Sequence, residues 1–132
     1  LIKTVFTVKN CVNHFPIDAI NQTAGIAACN DVAYYVETSK KVVEEREKIY
    51  NFLVENGFYV TKSKTNFLFA KHPSISGDVI YKKIKEEGIL IRHFATKGID
   101  DFVRISIGTK EQMEALKKAF YKLGIDVGEE RN

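Results

Sequence analysis

Apolar and small residues recur at helical spacing in the first part of the chain. Residues 16–30 have this pattern, and residues 31–56 continue it as a longer amphipathic stripe that ends at Gly57, a suitable helix C-cap. The second helix is predicted to have roughly six or seven turns, a length that suits a link between domains. Its inward stripe is predicted to comprise Val32, Tyr35, Val42, Val43, Arg46, Ile49, Tyr50 and Leu53.

After Gly57 the spacing changes to the shorter period of strands. Residues 58–61 and 66–70 form one pair of strand-like runs, and residues 89–94 and 101–107 form a second pair. Short polar segments separate the members of each pair, which predicts two antiparallel hairpins.

A helix is predicted between the two hairpins. Ser76 suits its N-cap and Gly88 its end, and the inward positions are Val79, Ile80 and Ile84.

The last helix is predicted to begin at Thr109, because Gln112 follows at capping-box spacing. The order is then two helices, two strands, a helix, two strands and a helix. This order predicts an α+β fold, in which an antiparallel-rich sheet of about four strands carries helices on one face and follows a long linking helix.

Two arginines are predicted to share the face of the sheet opposite the helices. Val103 and Ile105 alternate with Arg104, so burial of the aliphatic pair sends Arg104 to the other face, and the same reasoning applies to Arg92. If the hairpin is symmetric about Gly98, Arg92 and Arg104 lie directly opposite each other.

Like charges at such a position repel by up to about 1 kcal/mol, whereas an anion between two guanidinium groups makes the arrangement favourable. The alternative is that both arginines face solvent or pair with Asp100 and Asp101.

Composition narrows the class of protein. Apolar residues make up 45% of the 132 residues, charged residues 28% and aromatic residues 11%, with a net charge of +3. These values are typical of a soluble globular protein, and the interspersed charges do not favour a nucleic-acid partner. No apolar run approaches the roughly 20 residues of a membrane span. Sparse cysteine usage favours the cytoplasm.

The remaining candidate groups point to no metal or nucleophile. His14, His72 and His93 lie in different elements without metal-ligand spacing, and Cys11 and Cys29 are interpreted as buried free thiols.

The start of the chain indicates a piece of a larger protein. The first residue is Leu1, in what reads as the middle of an apolar segment, and the only methionine is Met113.

Several stretches together resemble one enzyme family. VNHFPIDAINQTAGIAACND, VEEREKIYNFL, TNFLFA, ILIRHF and FVRISIGT occur in this order. The set resembles the C-terminal part of the histidinol-phosphate aminotransferases, which have the fold-type I pyridoxal-phosphate aminotransferase fold. The resemblance runs from about Ile2 to Leu123. It implies that residues 1–30 are a tail and linking helix from a missing large domain, and that residues 31–132 are the small domain.

The resemblance also implies roles for individual residues. Arg104 corresponds to the arginine that grips the carboxylate of the glutamate donor or the phosphate of histidinol phosphate. Arg92 corresponds to a second arginine that helps to hold the phosphate. Asn13 falls in a turn that lines the cleft, and Arg46 and Asn66 match positions with a structural role.

The cofactor implied by the resemblance is pyridoxal 5'-phosphate, bound by the missing large domain together with the catalytic lysine. No catalytic, cofactor-binding or metal-binding residue is expected in this chain, and the fragment alone is expected to be inactive. The implied whole enzyme is a homodimer that acts on small amines and oxo acids.

Other functions remain open. A threonine-phosphate decarboxylase or an aromatic aminotransferase shares the fold. A stand-alone α+β module is an alternative of another class, which would bind RNA or small ligands through exposed rings such as Phe94 and Phe102, and a purely structural domain is a third option.

Overall fold

The computed structural model describes residues 1–12 and 17–124, and its contacts divide the chain into two compact units, Leu1–Glu37 and Thr38–Asn132. In chain order the helices and strands are α1 (Ile2–Val12), α2 (Ala19–Asn30), α3 (Val32–Glu55), β1 (Tyr59–Val60), β2 (Phe67–Lys71), α4 (Gly77–Glu86), β3 (Arg92–His93), β4 (Val103–Ser106) and α5 (Lys110–Lys122). None of the helices in these two ranges has the length and apolar character needed to cross a bilayer.

The first unit contains one helix that the sequence patterns did not predict. α1 was missed because Leu1, the residue before it, carries no capping group that would signal a helix start. α2 begins at Ala19, where the Asp18 carboxylate accepts the backbone N–H of Asn21 at 2.8 Å. The predicted start at residue 16 lies outside the described residues.

Neither α1 nor α2 has a buried residue, and all their residues except the half-buried Ala28 are exposed. Ile2 and Ile20 are 80% and 81% exposed. The expectation that Cys11 and Cys29 are buried is therefore wrong, since both are exposed free thiols on these helices.

The second unit contains a four-stranded sheet in the order β1-β2-β4-β3. Every neighbouring pair of strands is antiparallel, and the two hairpins meet where β2 pairs with β4. The predicted α+β fold with two antiparallel hairpins is confirmed.

The hydrophobic core lies on one face of the sheet. It is formed by side chains from α3, α4 and α5 packed on the inward residues of the strands: Ile49, Phe52, Leu53, Phe58, Val60, Leu68, Ala70, Ile80, Ile84, Val103, Ile105, Met113, Leu116, Ala119 and Phe120. Burial of these side chains is the main contribution to the stability of the unit.

The stripe predicted along α3 is confirmed only in the C-terminal half of the helix. Arg46, Ile49 and Leu53 are buried. Val32, Tyr35 and Val43 are exposed, because α3 contacts α5 near its C-terminal end, where Phe52 packs against Phe120 and Tyr121.

On α4, Ile80 and Ile84 are fully buried as predicted, but Val79 is 40% exposed. Val79 lies in the first turn of the helix and is not part of the core cluster. The N-cap prediction is confirmed, since the Ser76 hydroxyl accepts the Val79 N–H.

The predicted helix ends are confirmed elsewhere as well. Thr109 and Gln112 form a complete capping box at the start of α5. Gly57 and Gly88 follow α3 and α4 with φ of 79° and 77°, a conformation that favours glycine.

Three of the four strands, β1, β3 and β4, are shorter than predicted, whereas β2 has the predicted length. β3 has two residues in place of the six expected, because Ile89 and Ile91 pack against the core without pairing to β4 as a strand. β1 pairs through Tyr59 and Val60, and the Thr61 N–H extends the ladder by donating to the Phe69 carbonyl at 3.0 Å.

His72 links the end of β2 to the core and gives the fold a pH dependence. Its ring packs edge-on against Phe58 with 5.0 Å between ring centroids, and its Nδ1 accepts the Ser74 N–H at 3.2 Å. Partial burial lowers the pKa of His72 below its usual 6.5. The folded state therefore favours the neutral ring. The contribution of His72 to the stability of the fold is fully present above the pKa that this residue has in the unfolded chain, about 6.5. It is lost as the pH falls from there toward the lower pKa of His72 in the folded state.

We expect His72→Asn to reduce the loss of stability on acidification. Asn offers a carbonyl oxygen near the position of Nδ1 but does not titrate. The measurement is the urea midpoint of both proteins between pH 7.5 and 5.5, a comparison in which other titrating groups cancel. Identical pH slopes for the two proteins would contradict the assignment.

Candidate anion site on the open face of the sheet

Alternation along β4 decides which way Arg104 points. Val103 and Ile105 are 0% and 1% exposed on the helix-covered face. Arg104 lies between them and therefore projects from the other face, where it is half-buried. We call this side, which the helices do not cover, the open face.

The pairing of the strands brings the two predicted arginines together. Arg92 of β3 is directly opposite Arg104 of β4, and Phe69 of β2 is opposite Arg104 on the other side. The predicted register is confirmed. Gly98 lies in the connecting loop with φ of 92°, and its N–H donates to the Asp100 carboxylate at 3.0 Å.

Aromatic rings surround the two guanidinium groups. The Cζ of Arg104 lies 5.2 Å from the ring centroid of Phe67 and 6.0 Å from that of Phe94. The Cζ of Arg92 lies 5.0 Å from the centroid of Phe94. Phe94 also meets Phe69 at 6.0 Å with the rings tilted by 73°. Both arginines thus contact the ring of Phe94, and a ring face attracts each cation.

The positive charge of this pair is not balanced nearby. Within residues 1–12 and 17–124, neither Arg92 nor Arg104 forms an ion pair or hydrogen bond with a carboxylate, so the suggested pairing with Asp100 and Asp101 is wrong. Arg92 is exposed to solvent. The Nε of Arg104 is buried and has no hydrogen-bond partner among the described atoms. A buried donor without an acceptor is unfavourable, and an anion at this position would supply the acceptor.

Arg46 shows what a structural arginine looks like in the same unit. Its side chain is buried, its Nη1 donates to the Thr65 carbonyl at 3.0 Å, and its Nε and Nη2 donate to the Glu47 carboxylate at 3.1 and 2.9 Å. Arg46 therefore fastens α3 to the β1–β2 loop, as expected for a structural role. The carbonyl of Asn66 accepts the Ile107 N–H at 2.8 Å and extends the pairing of β2 with β4.

Three residues on the open face were not predicted. Phe67, Phe69 and Lys71 alternate with buried Leu68 and Ala70 along β2. The same alternation that located Arg104 would have found them. Lys71 adds a third cation to the face, with its Nζ 5.1 Å from the ring centroid of Phe102.

Two other groups of candidate residues lie away from the open face or outside the described residues. Asn13 and His14 lie outside the described residues. In the described ranges no group of three or more His, Cys, Asp or Glu side chains is arranged to hold a metal ion.

Chemically, the open face is suited to one anion. Each guanidinium group can donate two parallel hydrogen bonds to a carboxylate or phosphate, and the aromatic surroundings reduce competition from water.

Comparison with known proteins identifies the family. The family model for aminotransferase class I and II matches residues 4–120. The chain belongs to this aminotransferase family. It is 43% identical over 119 residues to the histidinol-phosphate aminotransferase of Chromohalobacter salexigens, an alignment that covers 90% of this chain and 34% of that protein. The chain spans about a third of the length of the curated aminotransferases it matches.

Solved aminotransferase structures share the fold. The histidinol-phosphate aminotransferase of Clostridium acetobutylicum superimposes with a TM-score of 0.74 at 26% identity, covering 88% of this chain and 36% of that one. The histidinol-phosphate aminotransferase of Sinorhizobium meliloti, solved in complex with pyridoxal-5'-phosphate, superimposes with a TM-score of 0.71 at 24% identity, covering 89% and 34%. The predicted fold, a small domain of a fold-type I aminotransferase, is confirmed.

The contrast between Arg46 and Arg104 gives a stability prediction. Arg104→Met should leave the free energy of unfolding unchanged or raise it by up to about 1 kcal/mol, because it removes a buried donor that has no partner. Arg46→Met is the matched control and should lower the free energy of unfolding by about 2 kcal/mol, since three charged hydrogen bonds are lost. Urea unfolding measures both. An equal loss in the two variants would mean that Arg104 is also a structural residue.

Proposed function

We propose that this chain supplies the substrate-anion site of a pyridoxal-phosphate-dependent histidinol-phosphate aminotransferase. The reaction is transfer of the amino group of histidinol phosphate to 2-oxoglutarate, which gives imidazole-acetol phosphate and glutamate in histidine biosynthesis. The observation that carries the proposal is the pair of uncompensated guanidinium groups of Arg92 and Arg104 on adjoining strands. Relatives of that name at 43% and 42% identity support the choice of substrate.

The residues of the open face fit an anionic part of a substrate better than they fit the cofactor. Enzymes hold pyridoxal phosphate through a lysine that forms a Schiff base and a charged partner for the ring nitrogen. The lysine on this face, Lys71, lies over the rings of Tyr59 and Phe102. The cofactor and its lysine are accordingly assigned to the part of the enzyme outside this chain. When bound, the cofactor supplies an electron sink for the carbanion formed at the substrate.

The task of this chain is to orient the substrate. Arg104, fixed by the strands on both sides of it, holds the phosphate of histidinol phosphate or a carboxylate of glutamate. Arg92 adds donors from the neighbouring strand. Fixing the anionic end limits where the α C–H can lie, and orientation of this kind contributes several kcal/mol to a reaction barrier. Because both substrates carry an anion, one pair of arginines can serve both halves of the reaction.

The first unit is assigned a different role. Ile2, Ile20 and Val12 are at least 80% exposed, and apolar helix surfaces of this extent are typical of faces that pack against other protein. Residues 1–30 are proposed to pack on the large domain of the complete enzyme, which is expected to be a cytoplasmic homodimer.

The alternative of a nucleic-acid module is not favoured by the arrangement of the rings. Phe69 and Phe102 stack on each other with centroids 4.4 Å apart and planes 8° from parallel, so the ring faces turned toward each other are already covered. Bases bind single-strand modules by stacking on ring faces that are free. Two alternative enzymes of the same fold are a threonine-phosphate decarboxylase and an aromatic aminotransferase, and the test below distinguishes them from the proposed enzyme.

Removing Arg104 tests the proposed function. In the complete enzyme, Arg104→Ala should reduce kcat/KM for histidinol phosphate by about 100-fold or more, which corresponds to about 3 kcal/mol of lost charge-assisted contacts. Histidinol without its phosphate should be affected far less. Lys82→Ala is the control, because it removes an exposed cation paired with Asp78 on α4.

A decrease of less than fivefold for Arg104→Ala would contradict the assignment of Arg104. Turnover of threonine phosphate with release of carbon dioxide, or of aromatic amino acids in preference to histidinol phosphate, would replace the proposed substrate.

A further inference from the structure

The ring of Phe94 occupies a special position among the aromatic residues of the open face. It contacts both guanidinium groups, with the Cζ of Arg92 at 5.0 Å and that of Arg104 at 6.0 Å from its centroid. Of the two arginines, the Phe67 ring lies against Arg104, and the Phe102 ring lies against Lys71 and Phe69. Phe94 is thus the side chain in the described ranges that touches both cations of the pair.

A ring restrains a guanidinium group differently from a carboxylate. A carboxylate binds the N–H edge and occupies the donors that a ligand needs, as Glu47 does at Arg46. A ring attracts the cation through its face and leaves the edge donors available. The Nε of Arg104 has no hydrogen-bond partner among the described atoms, so no carboxylate occupies it.

Phe94 is itself held in place. It follows β3, and its ring meets Phe69 of β2 edge-on at 6.0 Å. The preceding residue, His93, contacts the carbonyl of Asp100 through Nε2 at 2.7 Å and stacks on Tyr81 of α4. These contacts hold the ring and the residue before it, so Phe94 has a defined position before any ligand arrives.

We infer that Phe94 is a positioning residue. It holds Arg92 and Arg104 in an arrangement in which both can bind one anion, without occupying their hydrogen-bond donors. The inference rests on the proposed function, because it assigns the pair to a single anion. Loss of the ring frees both long side chains, and the anion must then order them at the cost of their rotamer entropy. Binding weakens although no direct contact with the anion is removed.

The test is a titration of the 132-residue chain with inorganic phosphate. Binding is monitored by NMR through the side-chain Nε–H signals of the arginines. In the wild type the signals of Arg92 and Arg104 should shift with one common Kd. Phe94→Leu should raise that Kd about fivefold or more, in line with the loss of two cation–π contacts. Phe94→Tyr should restore it to within about twofold, because the ring face is retained.

Phe102→Leu is the matched control. It removes a ring of the same type from the same face that contacts neither arginine, so it should lower thermal stability without changing the phosphate Kd by more than about twofold.

Three results would overturn the inference. They are an unchanged Kd in Phe94→Leu, failure of Phe94→Tyr to restore binding, or an equal loss in Phe102→Leu. If the wild type itself shows no phosphate-dependent shift at either arginine, the proposed function fails together with the inference. If the wild type binds and Phe94→Leu binds equally well, only the inference fails.

Discussion

Two positive charges face each other across β3 and β4, and the described chain provides no opposite charge for them. Such a pair is unfavourable by itself, by up to about 1 kcal/mol. It is tolerated because the strands that carry Arg92 and Arg104 are fixed by pairing and because aromatic rings lie against both cations. An anion between them turns repulsion into two sets of charge-assisted hydrogen bonds. The proposed function depends on this reversal.

The core controls the site although it lies on the other face of the sheet. Val103 and Ile105 are buried beneath the helices. Because side chains alternate between the two faces of a strand, Arg104 must lie on the opposite face. A shift of one residue in the register of β4 would bury the guanidinium group and expose both aliphatic side chains. Every inward apolar residue of β4 therefore also holds Arg104 in place, which connects the stability of the fold to the geometry of the site.

The parts of the structure that the sequence could predict are those governed by local periodicity. Alternation and hairpin symmetry located Arg92 opposite Arg104, and capping residues located the start of α5 at Thr109. The predictions that are wrong concern residues whose burial or pairing depends on contacts with distant parts of the chain. Val43 and Val79 fit an apolar stripe but are not covered by neighbouring elements, and Ile91 fits a strand but packs without pairing. The rings that contact the arginines are Phe67 of β2 and Phe94 after β3, which are far apart in the sequence, so only the sheet order brings them together.

The most direct test of the account is a crystal structure of the complete aminotransferase with histidinol phosphate bound. We expect the phosphate oxygens to lie within about 3 Å of guanidinium nitrogens from both Arg92 and Arg104, with the Nε of Arg104 donating to one of them. A phosphate bound away from both side chains, or a carboxylate from another part of the enzyme paired with Arg104 in its place, would contradict the account.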